Sequence, residues 1–251
     1  MKLTILGSGD SAGVPVYGCE CPACARARSD RSYRRASCSA LVEADGEYLL
    51  LDAGPADLES HLPAGALRHI LLTHYHMDHV QGLFRLRWGQ GEPIEVISPD
   101  DELGADDLYK HPGILDFSRR ARPFETIELA GFEVTPIPLN HSKPTLGYHI
   151  ARGQAQLAYL TDTLGLPKAG REFLAERKLD LMVIDSSEPP RAELPHNHND
   201  LDLALAIHTV VQPARTLLTH IGHRLDEYLM RHPDCLPDGI SPAYDGIGVE
   251  L

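Results

Sequence analysis

The chain has 251 residues, of which 43% are hydrophobic and 24% charged, an ordinary globular composition that excludes wholesale disorder. Its 36 acidic residues outnumber 23 basic ones, and the net charge of −13 argues against a protein that binds nucleic acid over its whole surface. No apolar run reaches the ~20 residues of a membrane-spanning helix, and the apolar core at the start is too short for a secretory signal. We therefore expect a cytoplasmic protein whose five cysteines do not form a disulfide framework.

Short runs rich in Ile, Val, Leu and Tyr predict strands along the whole chain. These are Leu3–Leu6, Ser39–Val42, Tyr48–Leu51, Ile70–Leu72, Ile94–Ile97, Val134–Leu139, Gln156–Leu160, Leu181–Ile184 and Thr216–Leu218. Helices are predicted at His79–Trp88, Asp101–Tyr109, Gly170–Glu176, Asp200–Val211 and Arg224–Arg231. No linker or shift in composition divides the sequence, so we expect one domain over residues 1–251.

Four of the predicted strands run directly into a side chain that can bind a metal ion. The residues at these strand ends are His74, His141, Asp162 and His220. Loops just beyond a rigid sheet edge are where functional sites are usually built. We expect these four side chains to share one site.

The segment His74-Tyr75-His76-Met77-Asp78-His79 is the densest cluster of potential ligands in the sequence. His74 and His76, two residues apart on an extended turn, can converge on one ion, while Asp78 and His79 can reach a second ion beside it. Imidazole and carboxylate together suit zinc, manganese, iron or nickel. We expect Tyr75 and Met77, between the ligands, to pack beneath this loop.

This motif resembles that of the metallo-β-lactamase superfamily, whose hydrolases carry His-x-His-x-Asp-His after a strand. The resemblance implies an αββα sandwich with a two-metal site along its edge. It further implies that one ion is bound by His74, His76 and His141, the other by Asp78, His79 and His220, and that Asp162 bridges them. Asp52, at the end of a strand, matches an aspartate that supports this site from behind.

A second cluster, Cys19-Glu-Cys21-Pro-Ala-Cys24, places three thiolates within six residues. Clustered thiolates with a fourth ligand from elsewhere are typical of structural zinc. Spacing alone leaves the fourth ligand open among Cys38, His223, His232 and Cys235. The loop over residues 18–36 is therefore expected to bind zinc.

Further segments narrow the resemblance to the phosphoribosyl cyclic phosphate phosphodiesterases of the bacterial carbon–phosphorus lyase pathway. They are Gly13–Gly18, Leu71–Leu83, Lys110–Phe117, Asn140–Lys143 and Asn197–Leu201. This family, matched from about residue 5 to 250, implies hydrolysis of 5-phospho-α-D-ribosyl 1,2-cyclic phosphate to ribose 1,5-bisphosphate in phosphonate catabolism. It also implies His223 as the fourth zinc ligand and manganese as the catalytic pair, with zinc or nickel as substitutes. At Glu188, where a histidine can stand in the family, a carboxylate touching the substrate would repel phosphate.

Three residues are candidates for roles beyond metal binding. His198 matches a non-metal histidine of the family, and we expect it to bind a phosphate oxygen or to protonate the departing sugar oxygen as the general acid. Asp78 is counted with it among the catalytic residues. Lys143, two residues after His141, is a candidate to bind the non-reacting phosphate. The alternatives are a surface-loop histidine for His198 and a solvated side chain for Lys143.

Other functions remain as rivals to this interpretation. The same metals would serve a broader cyclic-nucleotide phosphodiesterase, a lactonase or a thioesterase. A tRNA 3′-processing nuclease would need a basic surface that a charge of −13 does not provide. A non-catalytic metal-binding partner or a helper in pyrroloquinoline biosynthesis need not keep all seven ligands. We expect a hydrolase acting on a small phosphorylated sugar, with neither nucleic acid nor membrane as partner; the sequence leaves a homodimer open.

Overall fold

The structure is a computed structural model that describes residues 1–193 and 195–251. Strands β1 to β7 span Lys2–Gly7, Ser39–Ala44, Glu47–Leu51, His69–Leu71, Ile94–Ile97, Leu115–Asp116 and Ile127–Leu129. Strands β8 to β14 span Phe132–Pro138, Leu146–Arg152, Ala155–Leu160, Leu181–Asp185, Thr216–Thr219, Ile240–Pro242 and Gly248–Glu250. Helices α1 to α7 span Pro22–Ser29, Met77–Val80, Leu83–Leu86, Asp106–Lys110, Lys168–Ala175, Leu201–Val211 and His223–Arg231, with 3₁₀ turns at Arg31–Tyr33 and Leu58–His61. In the described residues no helix is both long and apolar enough to traverse a bilayer.

The strands form two seven-stranded mixed sheets, in the orders β14-β1-β2-β3-β4-β5-β6 and β13-β12-β11-β10-β9-β8-β7. In the first sheet β3 to β6 run parallel, and in the second β10 to β13 run parallel. Strand β8 is antiparallel to β9, which is antiparallel to β10. The carboxyl ends of β8 and β10 to β12 therefore meet at one edge of the second sheet.

Alternation of side chains along each strand gives the sandwich its layers. In β11, Leu181 and Val183 enter the core between the two sheets, whereas Met182 and Ile184 pack against the layer of α5, α6 and α7. The outer face of the first sheet is covered in the same way by side chains of α2, α3 and α4. This arrangement of helices outside two packed sheets confirms the predicted αββα sandwich.

Two of the predicted helices are much shorter than expected. The segment predicted as one helix, His79–Trp88, is divided into α2 and α3, and Trp88 is exposed. Helix α4 keeps only part of the predicted Asp101–Tyr109, because the Asp101 carboxylate accepts hydrogen bonds from the amides of Leu103 and Gly104 and holds a turn there instead. The long strand β9 and helix α1 were not predicted.

The two sheets are joined next to the site. The hydroxyl of Tyr148, on β9, donates to the carbonyl oxygen of Leu72 at 2.6 Å, and the amide of Leu146 donates to the carbonyl of Thr73 at 2.9 Å. Both bonds tie the end of β4 to the opposite sheet. They bring the loop that begins at His74 against the ends of β8, β10 and β12.

Candidate metal centre

The first group of ligand atoms comes from the loops after β4, β8 and β10. His74 Nε2 and His141 Nε2 lie 2.9 and 3.0 Å from His76 Nδ1, and Asp162 Oδ2 lies 3.7 Å from the His74 nitrogen. These four atoms lie within 4.8 Å of one another and could hold one metal ion. The structure thus brings together the residues predicted for the first ion.

The second group shares the same Asp162 oxygen. His79 Nε2 lies 3.3 Å and His220 Nε2 lies 3.4 Å from Asp162 Oδ2, and both nitrogens are 3.5 Å from Asp78 Oδ2. Ligands bound tetrahedrally at 2.0–2.1 Å lie about 3.3 Å apart, so these separations fit the edges of a metal coordination shell. Asp162 stands between the two groups, where a bridging carboxylate was predicted.

The orientation of the histidines gives an independent test of whether metal ions fit here. His79 donates its Nδ1 hydrogen to Asp52 Oδ2 at 2.8 Å, and His220 donates its Nδ1 hydrogen to Ser187 Oγ at 2.8 Å. Among residues 1–193 and 195–251, the opposite buried nitrogen, Nε2, has no partner in hydrogen-bonding geometry in either ring. A buried nitrogen lone pair is costly without a partner, and a metal ion supplies one. The donor set and its orientation therefore fit a divalent cation.

Asp52 is completely buried and holds the loop from behind, as predicted. Its carboxylate accepts hydrogen bonds from the amide and the hydroxyl of Thr73 at 2.8–3.0 Å as well as from His79. Its φ of +55° lies in the left-handed region, and His220 has a φ of +58°. Non-glycine residues adopt such angles where the surrounding structure enforces them, frequently at functional sites.

The electrostatics of the centre are those of carboxylates that need positive charge. Burial alone would raise the pKa of Asp162, but His220 and His79 hold that pKa well below its usual value. Burial would lower the pKa of His220, yet the Asp162 carboxylate raises it to about 9. For His74, which is surrounded by imidazoles, burial and then His79 lower the pKa well below its usual value. Divalent cations at this position would supply the positive charge directly.

His198 lies beside the metal centre but belongs to neither of the two predicted ligand groups. Its ring stacks on His220 with centroids 4.5 Å apart, and it donates its Nδ1 hydrogen to Asp185 Oδ2 at 2.9 Å. Burial would lower its pKa, but Asp185 raises it. Because Nδ1 is committed to Asp185, Nε2 is the nitrogen available to a substrate.

Asp185 was missed as a site residue at the level of sequence. Its completely buried carboxylate accepts hydrogen bonds from His198, from the amide of Thr163 and from the hydroxyl of Ser187, each at 2.9 Å. Ser187 in turn accepts from His220. One carboxylate thus orients both a candidate metal ligand and the neighbouring non-ligand histidine. The available signal was its place at the end of a strand, like that of Asp162.

Lys143 and Met77 differ from expectation in their surroundings. The Lys143 ammonium lies 3.4 Å from the carboxylate of Asp101, so its charge is shared with an anion of the protein. The expectation that Met77 packs beneath the metal loop is wrong, because its side chain is 64% exposed on the short helix α2, whereas Tyr75 is buried and donates to Ser98 Oγ.

The cysteine cluster forms a separate group about the first turn of α7. Nδ1 of His223 lies 3.3 Å from the sulfur of Cys19 and 3.5 Å from that of Cys21, and Cys24 completes a set of four ligand atoms within 4.8 Å. Of the other candidates, Cys38 contacts the carbonyl of Gly9 and the hydroxyl of Thr219, while His232 contacts its own helix and Cys235 packs against the outer layer of the second sheet. His223 is the residue placed as fourth ligand.

Comparison with known proteins identifies relatives over most of the chain. A profile described as the Beta-lactamase superfamily domain matches residues 47–221. A crystal structure of a new diphosphatase from the PhnP family is 32% identical, with a TM-score of 0.85, and the match covers 100% of this chain and 97% of that one. Zn²⁺-bound PqqB from Methylobacterium extorquens, 23% identical with a TM-score of 0.77 and 100% of both chains covered, shares the fold.

An octanoyltransferase of Porphyromonas gingivalis is 30% identical over 264 residues. The match covers 98% of this chain and 51% of the relative, so the chain spans about half the length of that protein. Its named activity is therefore not carried over to this chain.

Proposed function

This chain belongs to the beta-lactamase superfamily as a metal-dependent hydrolase, and we propose that it hydrolyses the cyclic phosphodiester 5-phospho-α-D-ribosyl 1,2-cyclic phosphate. The observation that carries the proposal is the pair of ligand groups sharing Asp162, with His198 oriented by Asp185 at their edge. Two ions held side by side suit in-line displacement at phosphorus. A ring-opening hydrolysis also needs a proton donor for the departing sugar oxygen, and we assign this role to His198.

We assign the residues as follows. His74, His76 and His141 would hold one ion and Asp78, His79 and His220 the other, and the Asp162 carboxylate belongs to both ligand groups. Cys19, Cys21, Cys24 and His223 would hold a structural zinc. We infer manganese for the catalytic pair from the resemblance of the sequence, with zinc or nickel as substitutes. When bound, the pair would activate water and stabilise negative charge on the phosphoryl oxygens.

The remaining side chains of the site would donate the proton and orient the histidines that bind the ions. His198, held through its Nδ1 hydrogen by Asp185, directs Nε2 toward the departing oxygen and supplies the proton there. Asp52 and the Ser187–Asp185 pair keep the rings of His79 and His220 turned so that Nε2 of each points inward. Asp78, expected among the catalytic residues, would act as a ligand of the second ion through the oxygen that lies 3.5 Å from His79 and from His220.

A second candidate is hydrolysis of a diphosphate, favoured by the 32% identical relative that is described as a diphosphatase. In both reactions water attacks phosphorus, but the bond that breaks is a sugar ester bond in the first and a phosphoanhydride bond in the second. Cyclic diester hydrolysis yields a monoester without free phosphate, whereas cleavage at the terminal phosphate of a nucleoside diphosphate releases inorganic phosphate.

The test is a substrate panel on protein loaded with manganese or zinc, followed by phosphorus NMR. The panel holds the ribosyl cyclic phosphate, 2′,3′-cyclic nucleotides, nucleoside diphosphates, a lactone and a thioester. We expect preferred turnover of the ribosyl cyclic phosphate to a bisphosphate. Preferred release of inorganic phosphate from diphosphates would replace it with the second candidate, and activity confined to the lactone or thioester would contradict both.

A further inference from the structure

A cavity of about 270 Å³ opens directly beside the candidate metal centre. His198 and His220 contribute to its lining from the centre itself. The rest of the lining comes from the loop after β1 and the loop between β11 and α6, and includes Asp10, Ser11, Glu188 and Arg191. The sugar whose oxygen departs from phosphorus on the side of His198 would therefore lie in this cavity.

The cavity supplies a cation that is free to meet an anionic ligand. In a chain with a net charge of −13, the negative charge of a phosphorylated substrate has to be met locally. Lys143 is already paired with Asp101, and that carboxylate is buried and fixed by two backbone amides. Arg191, by contrast, makes no ion pair within residues 1–193 and 195–251. Its guanidinium can bind two phosphate oxygens at once.

The carboxylates that line the cavity restrict which chemical groups the ligand can place beside them. Asp10 and Glu188 stand on the same cavity and would repel a ligand that is anionic throughout. Asp10 Oδ1 is occupied by the amides of Ala12 and Gly13, and its other oxygen lies over Gly222 beside the centre. Carboxylate oxygens are acceptors, so the group next to them should offer hydroxyl hydrogens. Hydroxyls with one anionic end describe a sugar phosphate.

Resting on the proposed phosphoryl chemistry, we propose that this cavity is the subsite for the non-reacting part of the substrate, a sugar whose second phosphate is bound by Arg191. Arg191 is then a specificity-determining residue, and it takes the role that the sequence suggested for Lys143. With a nucleoside diphosphate as substrate, the departing nucleoside monophosphate would lie in the same subsite.

The experiment compares Arg191→Gln with the matched variant Lys143→Gln in metal-loaded protein. Steady-state constants are measured for the ribosyl cyclic phosphate and for the same compound without its 5-phosphate. We expect Arg191→Gln to lower kcat/KM for the phosphorylated substrate about ten- to a hundredfold, mainly through KM, because a charge-assisted bond is lost. It should change the dephosphorylated substrate less than about threefold, and Arg191→Lys should recover part of the loss.

Two results would overturn the inference: equal losses on both substrates in Arg191→Gln, or a phosphate-selective loss in Lys143→Gln with none in Arg191→Gln. A binding measurement tests the subsite independently of the proposed reaction. If the wild type hydrolyses no phosphoric ester, the proposed function is wrong. Calorimetric titration with ribose 5-phosphate then shows whether Arg191 still binds the phosphate of a sugar. Binding about tenfold weaker in Arg191→Gln supports it, and equal or undetectable binding in both proteins refutes it.

Discussion

Replacing Asp185 by asparagine removes a charge from the point where two histidines are oriented, while it preserves the shape of the side chain. The carboxylate accepts three hydrogen bonds of 2.9 Å, from the Nδ1 hydrogen of His198, the amide of Thr163 and the hydroxyl of Ser187. An asparagine side chain has one acceptor oxygen, so its amino group must face at least one of these donors. One buried donor then loses its partner, which costs about 1–3 kcal/mol in the free energy of unfolding.

The larger effect is expected in turnover. Mutating a residue that orients a metal ligand typically costs about ten- to a hundredfold in activity or metal affinity. We expect kcat of Asp185→Asn to fall by about that factor, because His198 would donate to a neutral amide oxygen and would lose the carboxylate that raises its pKa. The assay is kcat on the preferred substrate, with the metal content and the urea unfolding curve measured on the same preparation.

A matched variant separates the two histidines that Asp185 serves. Ser187→Ala removes the contact with His220 and leaves the bond between Asp185 and His198 intact. It should weaken metal binding at the second ion while keeping more of kcat at saturating metal than Asp185→Asn. Wild-type kcat and metal affinity in Asp185→Asn would show that the carboxylate is needed by neither histidine.

Three further predictions concern the parts of the chain that support the centre. Cys21→Ser should lower the zinc content by one ion per chain and lower the melting temperature. The control Cys235→Ser should retain the zinc. Unchanged zinc in Cys21→Ser, measured by elemental analysis, would exclude the Cys-His cluster as the zinc site. Asp226 pairs with the buried Arg35 at 3.0 Å, so Asp226→Ala should lower the free energy of unfolding in urea by about 3–5 kcal/mol; a loss below about 1 kcal/mol would contradict this account of the pair. In Gly222→Ala the new Cβ would lie 2.8 Å from Asp10 Oδ2 and from the Ser187 carbonyl oxygen. This clash should lower the free energy of unfolding by about 1–3 kcal/mol and weaken metal binding by the adjacent loop. Wild-type stability and metal affinity in this variant would show that the loop tolerates the shift.

The metal centre was accessible from sequence because its residues obey a simple rule of position. His141, Asp162 and His220 each follow an apolar strand of the second sheet, where carboxyl ends of the same direction meet at one edge, and His74 follows a strand of the first sheet that is tied to the second. The histidine motif supplied the remaining ligand types in one short segment. Spacing therefore indicated the convergence, although it left the fourth residue of the cysteine cluster open.

What the sequence did not indicate depends on contacts between distant segments. Strand β9 begins Leu-Gly-Tyr-His and lacks a clear alternation, because it is central in its sheet and buried on both faces over most of its length. The turn at Asp101 replaced a predicted helical start through hydrogen bonds from its side chain to the backbone. The same residue pairs with Lys143, a contact between positions 42 residues apart that no local pattern predicts.

We expect two metal ions, one on either side of the Asp162 carboxylate. Their positions can be measured by anomalous scattering from crystals of manganese-loaded protein, collected on both sides of the manganese and zinc edges. Two manganese peaks are expected, one among His74, His76 and His141 and one among Asp78, His79 and His220, with a zinc peak at the cysteine cluster. Manganese on only one side of Asp162, or on neither, would contradict this expectation.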